Sequence, residues 1–304
     1  MNKRILVTGA TGAQGGALVP LLLQQGFSVR ALTRDPNKPA GQAMRALGAD
    51  VVAGNLDDEA SLERACADCY GVFSVQNFWE KGVGHDREVE QGCKLARAAK
   101  KAGVQHFVQT SVANCEHAPG VRHFESKYKI EQYIDSLGLP RTFLREVFFM
   151  ENFTQPVTLS GAKKPMDPHW ILPTIIGLLD NDTRFHMISV DDIAWFAADL
   201  FSHPELYLGK AVDVAGDVLT AADIKTIYQD VTGRRLMPAS KWITRLILRF
   251  INPESARQFR WNNRQGWDFD IAPLRQRHPR LTTFKQFLIE HYASHNKGTA
   301  HAAG

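Results

Sequence analysis

The sequence predicts an α/β protein, a doubly wound parallel sheet with a smaller lobe on its C-terminal side. Three observations carry this. Short β-branched runs alternate with helical stretches through the first half, glycines fall just past the helices, and the alternation fades beyond Asn152. Strictly alternating strands and helices imply a parallel sheet covered by helices on both faces. At 304 residues, 44% of them apolar, the chain can bury a large core.

Strands are expected at Arg4 to Thr8, Ser28 to Thr33, Asp50 to Ala53, Gly71 to Val75, His106 to Ser111 and Arg141 to Phe148, each an apolar or β-branched run of strand length. Helical patterns fill 13–25, 37–47, 58–68, 85–102 and 124–137. Gly26, Gly48, Gly71, Gly103 and Gly138 sit just past these helices or at the following strand, where a left-handed cap is wanted. Pro20 breaks a local rule, since inside the first helix it removes a hydrogen bond and should kink the chain. Beyond Asn152 the chain reads as irregular, with scattered aromatics at Pro165 to Trp170 and Trp242 to Phe250. Val190 to Phe201, Ala221 to Tyr228 and Thr283 to Tyr292 look helical. The expected organisation is a sheet domain over 1–155, a smaller α/β substrate or regulatory lobe packed on it over 156–293, and a flexible tail over 294–304.

Charge excludes more than it suggests. With 36 basic against 32 acidic side chains, the net charge of +4 is too small to argue for nucleic acid or an anionic membrane. Arg257, Arg260, Arg264, Arg275, Arg277 and Arg280 gather near the C-terminal end, but acids and tryptophans between them make a solvated face. Cys66 and Cys69 form a CxxC, with Cys93 and Cys115 not spaced as a second zinc pair, so no metal is expected and the thiols read as free in a reducing compartment. The opening apolar run is broken at Thr8 and Gly9, too early for a signal peptide, and no stretch approaches the ~20 apolar residues of a spanning helix. A cytoplasmic location is expected.

After the first strand comes Gly9-Ala10-Thr11-Gly12-Ala13-Gln14-Gly15, a GxxGxxG between a strand and a helix. Gly9 permits the tight turn, Gly12 lets backbone approach a pyrophosphate, and Gly15 lets helix and strand pack closely, while the helix N-terminus holds the phosphates. This makes the sheet domain Rossmann-type and predicts a nicotinamide dinucleotide. The second strand ends Leu32-Thr33-Arg34 without the acidic residue that binds an NAD ribose. Arg34 could pair with a 2′-phosphate, and Asp35 is placed in the turn beyond the strand by Pro36, so NADP(H) is the expected cofactor.

These residues, with Gly54-Asn55-Leu56-Asp57-Asp58, Asn77-Phe78-Trp79-Glu80, His123-Phe124-Glu125-Ser126-Lys127 and Phe149-Met150-Glu151-Asn152, resemble the NmrA-like proteins. These are atypical short-chain dehydrogenase/reductases, and the likeness is nearest to their HSCARG-type redox-sensor branch. It returns at Ile188 to Ile193 and Thr283 to Gln286. The resemblance implies cofactor contacts at Gly9 to Gly15, Arg34, Leu56, Gln76, Asn77, Phe78, Lys127 and Phe149 to Asn152. Glu90 stands where that branch carries a cofactor-contacting lysine, and Asn55 where an aspartate is usual. Family members either reduce quinones, dyes or aromatic ethers or regulate a partner protein. An NADPH-dependent oxidoreductase of quinone-like or other conjugated acceptors is therefore expected, with a non-catalytic redox sensor as the alternative. The expected partner is a small-molecule acceptor or a regulated protein, with a homodimer left open.

Typical short-chain dehydrogenases use Ser, Tyr and Lys, the last two as YxxxK. Here Ser111 ends the fifth strand, and His123-x-x-x-Lys127 stands without the tyrosine. Residues at i and i+4 share a helix face. The catalytic reading gives Lys127 the ribose and the polarising role, His123 or water the proton, and Ser111 an orienting hydrogen bond. The plain alternative makes Lys127 a solvated partner of Glu131 and His123 an exposed residue at the helix start. Trp79, Phe148, Phe149 and Phe153 could line an aromatic slot, although core packing is the commoner role for such residues.

Overall fold

The computed structural model describes residues 3–154, 166–237 and 239–300, the stretch 294–300 in its backbone alone. Residue 165, the expected start of one irregular stretch, and residues 301–304 of the expected tail lie outside the described residues. The chain opens β1 (Arg4–Val7), α1 (Ala13–Gln24), β2 (Ser28–Thr33), α2 (Pro39–Ala46), β3 (Asp50–Ala53), α3 (Glu59–Cys66), β4 (Gly71–Ser74) and α4 (Gly84–Lys101). It continues through β5 (His106–Val112), α5 (Arg122–Ser136), β6 (Arg141–Glu146), β7 (Phe148–Phe149), α6 (Pro168–Leu178), β8 (Phe185–Ile188), α7 (Val190–Ser202) and α8 (Pro204–Tyr207). It closes with β9 (Ala211–Asp213), β10 (Asp217–Leu219), α9 (Ala221–Thr232), α10 (Lys241–Ile251), α11 (Pro253–Arg264), α12 (Ala272–Arg277) and α13 (Phe284–Ala300).

These elements form two compact units. The first comprises residues 1–146 and 190–214, the second 147–189 and 215–304. In the first, a seven-stranded sheet runs β3-β2-β1-β4-β5-β6-β9 among the described residues, every neighbouring pair parallel. The order reverses between β1 and β4, which makes that junction the topological switch point of a doubly wound sheet. Helices α3, α4 and α5 pack in series, and α1 packs against α7. Ile5, Leu6 and Val7 are all fully buried, as a parallel strand covered on both faces requires. Leu6, Leu62, Leu95, Phe107, Ile130 and Phe143 share one continuous core.

The second unit holds a three-stranded sheet, β10-β8-β7, with β8 antiparallel to β10 and parallel to β7. Its core is aromatic: Phe148 lies 4.9 Å from Phe185 and 5.5 Å from Phe153, ring centre to ring centre, and Phe153 lies 5.2 Å from Phe284. Core packing is thus the role of Phe148 and Phe153.

The expected boundaries differ from these in four ways. The expected strand Arg141 to Phe148 is divided, β6 ending at Glu146 in the large sheet and Phe148 opening β7 in the small one. The chain does not pass from one unit to the other once, near residue 155, because α7, α8 and β9 return to the first unit. Of the stretches read as irregular, one runs into the start of α6 and the other lies within α10. Finally α13 runs to Ala300, past residue 294 where the expected tail begins. Pro20 lies within α1, which continues past it to Gln24.

Candidate active site

The site is built where β1 hands the chain to α1. Gly9 takes φ +59°, and its Cβ would lie 2.3 Å from Val75 Cγ1, so only glycine fits there. The Gly12 N–H donates to the Gly9 carbonyl at 2.8 Å and the Gly16 N–H to the Gly12 carbonyl at 2.9 Å. A Cβ on Gly15 would fall 2.4 Å from the Gly9 carbonyl oxygen, which fixes this residue by close packing of turn and helix. Thr8 ties the turn to β4, its Oγ1 accepting from the Val75 N–H at 2.8 Å. No side chain caps the N-terminus of α1, and Thr11, Gly12 and Ala13 are exposed. The chain therefore presents polarised N–H groups there, a setting that favours an anion.

At the neighbouring strand ends, Arg34 is exposed and pairs with Glu80, and Asp35 lies beyond β2 with its Oδ1 accepting from the Asn37 N–H at 3.0 Å. Asn55 Oδ1 accepts from the Asp57 N–H, Leu56 packs on the core, and Glu90 pairs with Lys94 at 2.8 Å. Asp57 is held by Arg87 and Gln91, and its hydrogen bond from Arg87 lowers its carboxyl to about 2. Gln76 joins a closed ring of buried hydrogen bonds. Ser74 Oγ donates to Gln109 Oε1 at 2.7 Å, Gln109 Nε2 to Gln76 Oε1 at 2.9 Å, and Gln76 Nε2 to Ser74 Oγ at 2.8 Å. The next residues turn outward, Asn77 Oδ1 accepting from the Trp79 N–H.

On α5, His123 and Lys127 occupy one face, but neither is placed as the plain alternative supposed. His123 is buried, its ring 5.1 Å from Trp79, 5.6 Å from Phe78 and 4.6 Å from Phe124. Lys127 Nζ lies 2.9 Å from Glu88 Oε1 and donates to the Gln76 carbonyl at 3.3 Å. Glu88 is fully buried and also accepts from Ser126 Oγ. Glu131, the supposed partner of Lys127, is instead gripped by Arg145 at 2.6 and 2.9 Å, and Arg145 also reaches Glu116 at 2.9 Å. Burial raises the nearby Asp213 carboxyl above the usual range. Ser111 is buried, with its Oγ 3.8 Å from Cys115 Sγ, and burial pushes that thiol up to about 12.

One group escaped the sequence reading. Glu146, the last residue of β6, is 4% exposed and accepts from Gln14 Nε2 at 2.8 Å. Burial pushes its carboxyl up to about 8, against the pull of Lys127 and the Gln14 hydrogen bond. The only signal in the sequence was a charged pair, Arg145-Glu146, inside an apolar run. Phe149 to Asn152 belong to the second unit, where Phe149 pairs with Ile188 and Met150 is buried. The CxxC thiols are free and buried, with burial pushing Cys66 up to about 12. Among the described residues no cluster of His, Cys, Asp and Glu could hold a metal, and no helix is long and apolar enough to cross a membrane.

A doubly wound parallel sheet with a glycine turn at its switch point defines a Rossmann-type α/β architecture. Residues 1–257 match the NmrA-like family, and the chain belongs to it. An NmrA-like family domain-containing oxidoreductase of Aspergillus hancockii is 34% identical over 262 residues, 80% of this chain and 77% of that protein. Solved structures that share the fold include the following two. NmrA, a negative transcriptional regulator, in complex with NADP, superposes with a TM-score of 0.76 at 17% identity, covering 98% of each chain. The triphenylmethane reductase of a Citrobacter species gives 0.77 at 19% identity, covering 94% of this chain and 98% of that one.

Proposed function

We propose that this protein is an NADP(H)-dependent oxidoreductase acting in the cytoplasm on a quinone-like or other conjugated small-molecule acceptor. The observation that carries the dinucleotide is the uncapped N-terminus of α1 behind a turn in which Gly9 and Gly15 leave no room for a side chain. The residues fit the group: Gly12 and its exposed neighbours receive the pyrophosphate, and Arg34 exchanges Glu80 for the 2′-phosphate. The bound nicotinamide supplies the hydride. Lys127, oriented by Glu88 and the Gln76 carbonyl, holds the ribose and polarises the acceptor oxygen. Conjugated acceptors suit a site lacking the tyrosine acid, since delocalisation over the acceptor lowers the demand for simultaneous protonation. The dye reductase and the oxidoreductase relative support this reading.

A second reading, a redox sensor that regulates a partner protein, is favoured by one observation. Lys127 and Ser111 are both engaged inward, with Glu88 and Cys115. The solved regulator of this fold, in complex with NADP, supports it.

The experiment separating the two is turnover of NADPH against a panel of quinones and cationic dyes, beside cofactor affinity, for three proteins. Lys127→Met alone would leave the Glu88 charge buried without its cation, which is strongly destabilising. The informative variant is therefore Lys127→Met with Glu88→Gln. In a reductase this pair lowers the chemical step by ~10²–10⁴-fold with far less loss of NADPH affinity. His123→Phe keeps a ring among Phe78, Trp79 and Phe124, and a lowered chemical step in this variant would assign the proton to the imidazole. Binding without reduction of any acceptor establishes the sensor. A chemical step unchanged in the double variant removes Lys127 from catalysis.

A further inference from the structure

Glu146 has no part in the chemistry above, yet its placement ties it to the glycine turn. Gln14 occupies the first turn of α1, and its amide Nε2 donates to Glu146 Oε2 at 2.8 Å. The polar atom that this bond leaves over on each side chain, the amide oxygen Gln14 Oε1 and the carboxyl oxygen Glu146 Oε1, is buried without a hydrogen-bond partner among the described residues. Both are acceptors, and an unsatisfied buried acceptor carries a desolvation penalty. One proton on Glu146 changes that balance. It turns Oε1 from acceptor into donor and makes the side chain a neutral carboxylic acid facing a neutral amide. Burial favours the same form.

We propose that Glu146 is the group through which dinucleotide binding takes up a proton, its neutral acid, paired with the Gln14 amide, being the form that admits a pyrophosphate to the glycine turn. The proposal rests on the cofactor reading given above and deepens it. An ionised Glu146 would put a buried negative charge one hydrogen bond from the first turn of α1, where the phosphates are to sit. Buried, that charge is poorly screened by water, and it disfavours an anion brought to the same helix end.

The other charges around Glu146 do not cancel this. Lys127 on α5 is the cation it feels, and that ammonium is already matched by Glu88 on α4. Arg145 and Asp213 are paired in register on β6 and β9, and strand alternation sends Arg145 to the opposite face, where Glu131 and Glu116 engage it. The α1 neighbour, Gln14, is uncharged. The sign follows by linkage. If only the protonated form binds well, affinity is level while Glu146 is protonated in the free protein and falls as pH rises through about 8, by about tenfold per pH unit.

The test is calorimetric titration with NADPH from pH 7 to 9.5, repeated in buffers of different ionisation enthalpy. This lies above about pH 6, where the cofactor's own phosphate titrates. The unmutated protein should take up a proton on binding, approaching one per cofactor above pH 8, and lose affinity at the stated slope. Glu146→Gln, which keeps the shape and the partner amide, should bind with no uptake and with level affinity. Infrared titration of the free protein gives a readout independent of the cofactor: a protonated-carboxyl carbonyl band lost with a midpoint near 8 and absent from Glu146→Gln.

NADPH binding without proton uptake in the unmutated protein, or uptake that persists in Glu146→Gln, overturns the proposal while leaving the cofactor reading intact. Absence of NADPH binding at every pH, with the infrared band present, overturns the cofactor reading, and the role of Glu146 falls with it.

Discussion

In the function proposed above Arg34 would carry the choice between the two dinucleotides, and the structure gives it a competitor. Its guanidinium is paired with Glu80, so a 2′-phosphate must displace a carboxylate rather than meet a free cation. Exposed ion pairs contribute only about 0–1 kcal/mol, whereas hydrogen bonds to charged groups contribute about 1.5–3 kcal/mol, so the phosphate should win the exchange. Arg34→Ala should remove most of the preference for NADPH over NADH, and Glu80→Gln should strengthen NADPH binding by a few-fold. Calorimetry on the three proteins checks both, and equal affinities of the unmutated protein for the two cofactors would refute the role. Arg34 was legible because its place at the end of a strand is fixed by sequence. Its partner was not, nor were Glu88 for Lys127 or Gln14 for Glu146, which lie 46, 39 and 132 residues away in the chain. A carboxylate looks the same in sequence whether it faces water or a buried cation.

Among the elements, the glycine turn was the most legible, because Gly9 and Gly15 answer local steric demands that sequence spacing reveals. It also gives the sharpest element-scale test. Gly12 is exposed, and an added Cβ would lie 3.2 Å from the Gly9 carbonyl oxygen, a tight but tolerable approach. Gly12→Val should therefore leave the protein folded while its branched side chain fills the space wanted by the pyrophosphate, abolishing NADPH binding. Circular dichroism beside titration with NADPH checks this, and binding by a folded variant would exclude a phosphate role for the turn. Helices α6 and α10 were the least legible. Pro173 interrupts the pattern of α6. In α10, Trp242, Ile243, Leu246, Ile247, Phe250 and Ile251 recur at helical spacing, but their β-branched and aromatic chemistry resembles a strand, and these six side chains are exposed.

On the scale of the whole molecule, the sequence showed one sheet and a second lobe but not how the chain is divided between them. Alternation of strand and helix stops being visible beyond Asn152, while α7 and β9, which complete the first unit, lie after the interruption. A fragment ending at residue 155 would leave α1 without α7 and β6 without its outer neighbour β9. It should show weak, non-cooperative melting by circular dichroism. A chain joining residues 1–146 to 190–214 through a flexible linker should melt cooperatively. A cooperative transition in the shorter fragment, equal to that of the whole protein, would show that α7 and β9 are dispensable.

The interrupted first unit also bears on how the protein is made. Emerging from the ribosome, residues 1–146 form most of a parallel sheet whose outer edge at β6 waits for a strand not yet synthesised. Domains fold as units during synthesis, and unpaired strand edges are where nascent chains aggregate. Through the whole translation of 147–189 that edge has no native neighbour. Slow decoding or a pause within that segment should therefore lower the soluble yield, whereas a pause after residue 214 should not.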